Sequence, residues 1–377
     1  MGFAFTRLAA GQAFTTPPDS QKTWLRPVHI APVTAHEDGE VLAGGWLRFT
    51  HLDVVMKTST AFECQRLSLS EYLQISADKT AAETALHQLI SPRADFATLS
   101  LSRPHIMGVL NITPDSFSDG GVHFAAEQAI AAGQQMASDG ASVLDIGGES
   151  TRPGAAEVPL SQEISRVQPV ISALVQAGHI VSSDTRHTQV MQAAHDAGAQ
   201  IINDVSGFTD TGAAQLMGTQ YQRNPDSAYA MAMHMQGTPK TMQQNPHYDF
   251  APLDIYEVLE AHVTRLKTAG LPPSHIVVDP GFGFGKTPEH NRQLIDWTSL
   301  FHGLGVGVLI GVSRKSSIPK LVEASADGLP DSLYGRTEDE RLGGSIALGL
   351  EAVQQGAQFI RTHDVAPTAQ AVSITAR

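Results

Sequence analysis

The sequence predicts an α/β fold, a (β/α)8 barrel of the TIM type with a small α+β extension in front of it, on three observations. Eight short apolar runs of four to six residues follow residue 103, segments of helical spacing separate them, and every run ends in a polar side chain. Strands that alternate with helices pack as a parallel sheet, and eight of them close into a barrel more readily than they form an open sheet.

Residues 1–102 have a different texture. Prolines stand at 17, 18, 27 and 32, Gly44-Gly45-Trp46 reads as a turn, and the alternation from Trp46 to Val55 predicts a strand. Thr80 to Ile90 has helical spacing and stops before Pro92. This part reads as an appended module, ordered in part through docking, and residues 103–377 as the barrel.

The expected barrel strands are Ile106 to Leu110, Ser142 to Ile146, Ile180 to Ser183, Gln200 to Asn203, Ala228 to Met233, His275 to Val278, Val306 to Ile310 and Gln358 to Arg361. Several helical segments end in glycine just before the next run, at Gly140, Gly198 and Gly356. A glycine there supplies the left-handed cap that stops a helix. The runs end at Asn111, Asp145, Asp184, Asn203 with Asp204, His234, Asp279, Ser313 to Lys315, and Arg361 with His363. One polar residue at a strand end is ordinarily a cap. Eight polar ends that converge at the C-terminal mouth of a barrel describe a binding pocket.

Composition narrows the function. With 38 acidic against 25 basic side chains, a net charge of −13, the chain lacks the electrostatics for sequence-independent binding of nucleic acid or anionic lipid, so neither is expected as a partner. A single cysteine, Cys64, excludes an internal disulfide and fits a reducing, cytoplasmic setting. No apolar run approaches the roughly 20 residues that span a bilayer. The opening Met1 to Thr6 satisfies the loose myristoylation pattern, a match common by chance.

Five loops carry chemistry. Asn111-Ile-Thr-Pro-Asp-Ser-Phe-Ser-Asp-Gly-Gly121 spends a proline, hydroxyls, carboxylates and an amide on what would otherwise be a connection. Asp145-Ile-Gly-Gly-Glu-Ser-Thr-Arg-Pro-Gly154 combines glycines that let backbone amides approach a ligand with hydroxyls and a forked cation suited to phosphate. Asp279-Pro-Gly-Phe-Gly-Phe-Gly-Lys-Thr287 is not a P-loop, because Pro280 replaces its first glycine, and it lacks dinucleotide spacing; it reads as a flexible glycine loop beside a carboxylate able to accept two adjacent N–H donors. Gly311-Val-Ser-Arg-Lys-Ser316 and Arg361-Thr-His-Asp364 add cations. There is no His-Glu-x-x-His and no cysteine pair, which argues against zinc, whereas an oxygen donor such as Asn111 suits magnesium held with substrate phosphates.

Taken with Ile202-Asn-Asp204 and Met233-His-Met-Gln-Gly237, these loops resemble bacterial dihydropteroate synthase over about residues 103 to 370. The resemblance implies a transferase that joins 4-aminobenzoate to dihydropterin diphosphate with Mg2+, releasing diphosphate, on a usually homodimeric TIM barrel. It assigns Asp145, Asp184, Asn203, Asp279 and Lys315 to the pterin, and Asn111, Thr151, Arg152, Arg361 and His363 to the diphosphate. Asn111 also becomes the metal ligand. Phe117, Pro153, Phe284 and Ser316 would border the aminobenzoate, where sulfonamides compete. Asp119, Arg152 and Lys315 would act in catalysis, Asp119 by stabilising a cation.

Two features depart from the pattern: Arg186-His-Thr-Gln189 follows Asp184-Thr185, and the loop near 323 to 338 is long. The alternatives are a pterin-binding methyltransferase domain, which needs no diphosphate site, and a non-catalytic pterin-binding homologue.

Overall fold

The computed structural model describes residues 4–9, 12, 22–35, 38–59, 61–112, 121–150, 157–325 and 333–375. The chain starts with β1 (Ala4–Arg7), β2 (Thr23–Pro32), β3 (Glu40–Val41), β4 (Leu47–Lys57) and β5 (Ala61–Ser68), followed by α1 (Leu69–Ile75) and α2 (Lys79–Ile90). The sheet runs β1-β5-β4-β2, with β3 also on β4. Ser68 and Glu71 form a capping box that starts α1, and Asp78 caps α2. The expected strand and helix are therefore both present, at β4 and α2.

One cluster, including Leu25, Phe49, Leu52, Val54, Tyr72 and Leu89, joins this sheet to α1 and α2. A second, Trp24, Val55, Phe62 and Cys64 against Leu253, Trp297 and Leu300, seats it on the rest of the chain. Polar contacts reinforce that seam. Arg26 donates to the carbonyl of Asp296 at 2.6 Å and lies 4.5 Å from the Trp297 ring centre, while Ser299 donates to the carbonyl of Pro27 at 2.8 Å. Asp53, fully buried, is neutralised by Arg7, Arg26 and Arg66.

The barrel consists of β6 (His105–Asn111), α3 (Gly121–Ser138), β7 (Val143–Gly147), α4 (Leu160–Gln176), β8 (Val181–Asp184), α5 (Thr188–Asp196), β9 (Ile201–Asp204), α6 (Ala213–Arg223), β10 (Tyr229–Met233), α7 (Ala251–Thr268), β11 (Ile276–Asp279), α8 (Pro288–Asp296), β12 (Gly307–Ile310), α9 (Ser317–Ser325), α10 (Leu342–Val353), β13 (Phe359–Thr362) and α11 (Val365–Thr375). Strands β6 to β13 close in sequence order, the ring completed by Phe359 opposite His105. Each expected strand is present. The glycine stops are too: Ala141 donates to the Met136 carbonyl and Gly140 to that of Ala137, and the same pair of bonds recurs at Gly198 and Gly356.

Strand alternation explains where the site forms. On the inner face Met107, Val143, Ile201, Met231, Val277, Leu309 and Phe359 make an apolar floor, closed from below by Phe96, Ala97 and Leu101. Two residues further along the same strands come Val109, Asp145, Asn203, Met233, Asp279, Gly311 and Arg361. Because side chains on one face recur every second residue, a single step up the barrel converts packed hydrocarbon into a polar layer. The outer faces, with Leu110, Leu144, Ile146, Ile202 and Val278, pack on the helices. Among the described residues no helix is long and apolar enough to cross a membrane.

Candidate active site

Arg361, at the end of β13, organises the polar layer. Its Nε donates to Asp145 Oδ2 at 2.6 Å and its Nη2 to Asp184 Oδ2 at 2.7 Å. Asn203 Nδ2 donates to the same oxygen of Asp145 at 3.0 Å. Burial pushes the Asp184 carboxyl up to about 7; Arg361 pulls against this and Asp145 adds to it. Burial works against the Arg361 charge, but Asp145 and Asp184 outweigh it and raise its pKa. The second oxygens, Asp145 Oδ1 and Asp184 Oδ1, are buried with no hydrogen-bond partner among the described residues. Asp279 accepts from Gly281 N at 2.7 Å, and burial raises its carboxyl.

Above this layer lies a cavity of about 440 Å3. Of the residues singled out by sequence, Asn111, Asp184, Phe284, Lys315, Ser316, Arg361 and His363 line it. Asp145, Asn203 and Asp279 stand buried beneath or beside them. Phe117, Asp119, Thr151, Arg152 and Pro153 lie outside the described residues.

The loop after β12 presents its cations differently from one another. Arg314, in the left-handed region at φ 57°, binds Asp364 through Nε at 2.9 Å and Nη2 at 2.5 Å and lies 3.3 Å from Asp339, so its guanidinium is held in ion pairs at the cavity's edge. Lys315 Nζ sits 3.9 Å from the Phe284 ring centre. Its stem runs over Gly283, where a β-carbon would approach Lys315 Cδ to 3.1 Å. His363 shares a 3.0 Å contact with Ser313 Oγ, and burial, then Arg361, Arg314 and Lys315, lower its pKa to about 3. It is a neutral imidazole in the free protein, able to meet an anion through an N–H donor and not through a charge.

The glycine loop after β11 is stapled where the sequence reads as flexible. Lys286 is 2% exposed and donates to the carbonyl of Phe284 and to His234 Nδ1, each at 2.9 Å. Burial lowers the pKa of both Lys286 and His234 well below their usual values. Tyr248 and Gln243 donate to the carbonyls of Gly285 and Gly283. Gly281 is required: a β-carbon would come within 1.9 Å of the His234 carbonyl oxygen.

Ser313, named as a strand end, lines the cavity as well. Sequence reasoning missed other residues of the mouth: Met242, Glu338 and Arg341 line it, and Arg341 donates to the carbonyls of Arg314, Gly335 and Arg336, tying the long loop to the Lys315 loop. The charged run from Arg336 to Arg341 was the available signal. Beside β7, Glu163 is fully buried, accepts from Thr185 Oγ1 at 2.8 Å, and has a second oxygen with no partner among the described residues. Burial pushes its carboxyl up to about 7. A raised carboxyl pKa stabilises the fold fully below the unfolded value near 4.5 and loses that contribution as pH rises toward 7. Glu163→Gln imitates the protonated form, so denaturant unfolding should show a gain of roughly 1–3 kcal/mol at pH 8 and little change at pH 4.5. A destabilisation at pH 8 would show that the carboxylate is needed there.

A family model described as "Pterin binding enzyme" matches residues 107–363. Dihydropteroate synthase of Escherichia coli K12 is 39% identical over 282 residues, covering 74% of this chain and 94% of its own length. The structure of Xanthomonas albilineans dihydropteroate synthase with 4-aminobenzoic acid superposes with a TM-score of 0.65 at 40% identity, covering 75% of this chain and 96% of that one. The same enzyme in complex with 7,8-dihydropteroate superposes at 0.62 with 37% identity, covering 75% and 97%. Family match, identity over most of the barrel and shared fold agree: this chain belongs to the pterin-binding enzyme family, among the dihydropteroate synthases.

Proposed function

We infer that this chain joins 4-aminobenzoate to dihydropterin diphosphate, making 7,8-dihydropteroate and diphosphate, with the residues of the barrel mouth in the following roles. Asp184, Asn203 and Asp279 bind the pterin, with Asp145 supporting them, and Lys315 donates to the ring. The observation that carries this reading is the pair of buried oxygens without a partner among the described residues, Asp145 Oδ1 and Asp184 Oδ1, in the polar layer, with Asp184 at the cavity wall. Buried acceptors without partners are costly, and an aminopyrimidine offers the N–H donors that would satisfy them.

The diphosphate end is assigned to Asn111, Thr151, Arg152, Arg361 and His363. Magnesium fits there by donor type. A β-carbon on Gly147 would lie 3.3 Å from Asn111 Oδ1 and 3.7 Å from Asp184 Oδ2, so the glycine leaves a small cradle between two oxygen donors. Asn111 would hold the ion together with substrate phosphates, and the ion would supply charge neutralisation for the departing diphosphate.

The carbon–oxygen bond to diphosphate breaks, leaving a cationic methylene conjugated to the pterin. The arylamine nitrogen then forms the new bond and releases its proton. Asp119 stabilises the cation, while Phe117, Pro153, Phe284 and Ser316 hold the aminobenzoate and exclude water that would otherwise trap it. An assay with dihydropterin diphosphate, 4-aminobenzoate and Mg2+ tests the reading; no dihydropteroate or diphosphate release overturns it. The homodimer belongs to the same proposal and is checked by sedimentation.

We propose further that the module in front of the barrel supports stability and takes no part in the chemistry. Arg93 donates to the carbonyls of Val306 and His302, and Phe96 enters the barrel floor, so a useful truncation stops at residue 91. That deletion uncovers Leu253, Trp297 and Leu300. Each buried apolar side chain of that kind contributes about 1.5–3 kcal/mol. The truncated chain should aggregate on mild heating, as read by light scattering, yet keep kcat/KM within about threefold while it remains in solution.

A further inference from the structure

Arg186 and His187 follow Asp184-Thr185 at the end of β8. Arg186 forms a two-point contact with Glu149, Nε to Oε2 at 3.0 Å and Nη2 to Oε1 at 3.2 Å. Glu149 is 7% exposed, and its Oε1 also accepts from Val158 N at 3.3 Å. His187 Nε2 lies 3.6 Å from Oε2. One carboxylate thus connects the stem before residues 151–156, where Ser150 lines the cavity, with the stem after them at Val158.

Helix α4 backs this arrangement. Arg166 donates to the Gly148 carbonyl at 2.9 Å, and Glu163 accepts from Thr185 at 2.8 Å. A β-carbon on Gly148 would meet Val167 at 2.8 Å and Glu163 at 3.0 Å, so the first stem is pressed against the helix. Thr185, in turn, follows Asp184 of the polar layer and donates to the Asn203 carbonyl at 3.1 Å. Glu149, Glu163 and His187 have ligand atoms within 4.8 Å of one another, but the Arg186 guanidinium already binds both Glu149 oxygens, which favours a clamp over a metal site.

We propose that Arg186, acting through Glu149, is a positioning residue for the diphosphate-binding half of the site: it holds Ser150, on the cavity wall, and Val158 in register with Asp184. The inference rests on the diphosphate site proposed above, of which Asn111, Arg361 and His363 line the same cavity as Ser150. A clamp of this kind sets the geometry of anion binding without touching the pterin pocket, and a misplacement of about 1 Å is enough to cost up to a hundredfold in rate.

The test titrates the full-length protein and its Arg186→Ala, Arg186→Lys and Glu149→Gln variants with inorganic diphosphate plus Mg2+ and, separately, with a pterin that carries no diphosphate. Steady-state kinetics accompany both titrations. Arg186→Ala should weaken diphosphate binding and lower kcat/KM about 10- to 100-fold while pterin affinity stays within about twofold. Lysine should restore part of the loss. The double variant Arg186→Ala/Glu149→Gln should be no worse than Arg186→Ala alone, because both act through one contact. Equal weakening of both ligands, unchanged diphosphate binding, or additive losses would each overturn the proposal. A wild-type protein that binds diphosphate but no pterin would refute the functional reading instead, leaving the clamp to be judged on the diphosphate arm.

Discussion

Arg361→Met is expected to abolish turnover and to destabilise the protein by about 3–5 kcal/mol at pH 8. Arg361 is the cation bound to Asp145, which is fully buried, and to Asp184, which is 8% exposed. Methionine keeps the length and apolar stem but leaves two carboxylates without their countercharge. For Asp184 the remaining recourse is to bind a proton. Asp184 already titrates near 7 with Arg361 in place, and losing the cation moves it higher. The penalty should therefore shrink at pH 5.5, where the variant's Asp184 carboxyl is protonated. Denaturant unfolding at both pH values checks this. A loss of under about 1 kcal/mol, or one independent of pH, would show that Arg361 is not the charge that balances the layer. Turnover should fall by at least about a hundredfold at every pH, since the same side chain also faces the cavity.

The experiment bears on what a sequence can disclose. The strand ends were legible because a barrel strand buried on both faces is a continuous apolar run, and a polar residue that stops it is conspicuous. Arg361 was also legible as a cation at the mouth. Its present partners were not, since Asp145 and Asp184 lie 216 and 177 positions away. Nothing local marks such a pairing; it arises only when the barrel closes.

Glu163 and Arg186 were illegible for a related reason. Glu163 carries a side chain that ordinarily faces water, yet it shares the buried stripe of α4 with Val167, Val170 and Leu174, close against Gly148. The loop after β11 misled in the opposite direction. Its glycines promise freedom in isolation, but Gly281 serves close approach to the His234 carbonyl, and the buried Lys286 ties the turn down. Likewise Phe96 to Leu101 resembles linker, because a floor plug need only be apolar and short.

Lys315→Ala should separate binding from stability in the way Arg361→Met cannot. Lys315 is half-buried and lies over the Phe284 ring, a contact typically contributing about 0.5–2 kcal/mol. The loss of that contact from the free protein should be visible as a drop in Tm well short of the one expected for Arg361→Met. In the complex the ammonium is assigned to a charged hydrogen bond with the pterin, which contributes about 1.5–3 kcal/mol. Pterin affinity should then weaken roughly 10- to 100-fold, with kcat/KM falling at least as far. Arginine should not rescue it. The stem is seated against Gly283 and the head is a compact donor above Phe284, whereas a planar fork is larger and cannot reproduce a point charge. Titration calorimetry with a pterin ligand alongside thermal unfolding reads both quantities. Unchanged pterin affinity would remove Lys315 from the pocket; a Tm collapse like that of Arg361→Met would make it a structural cation.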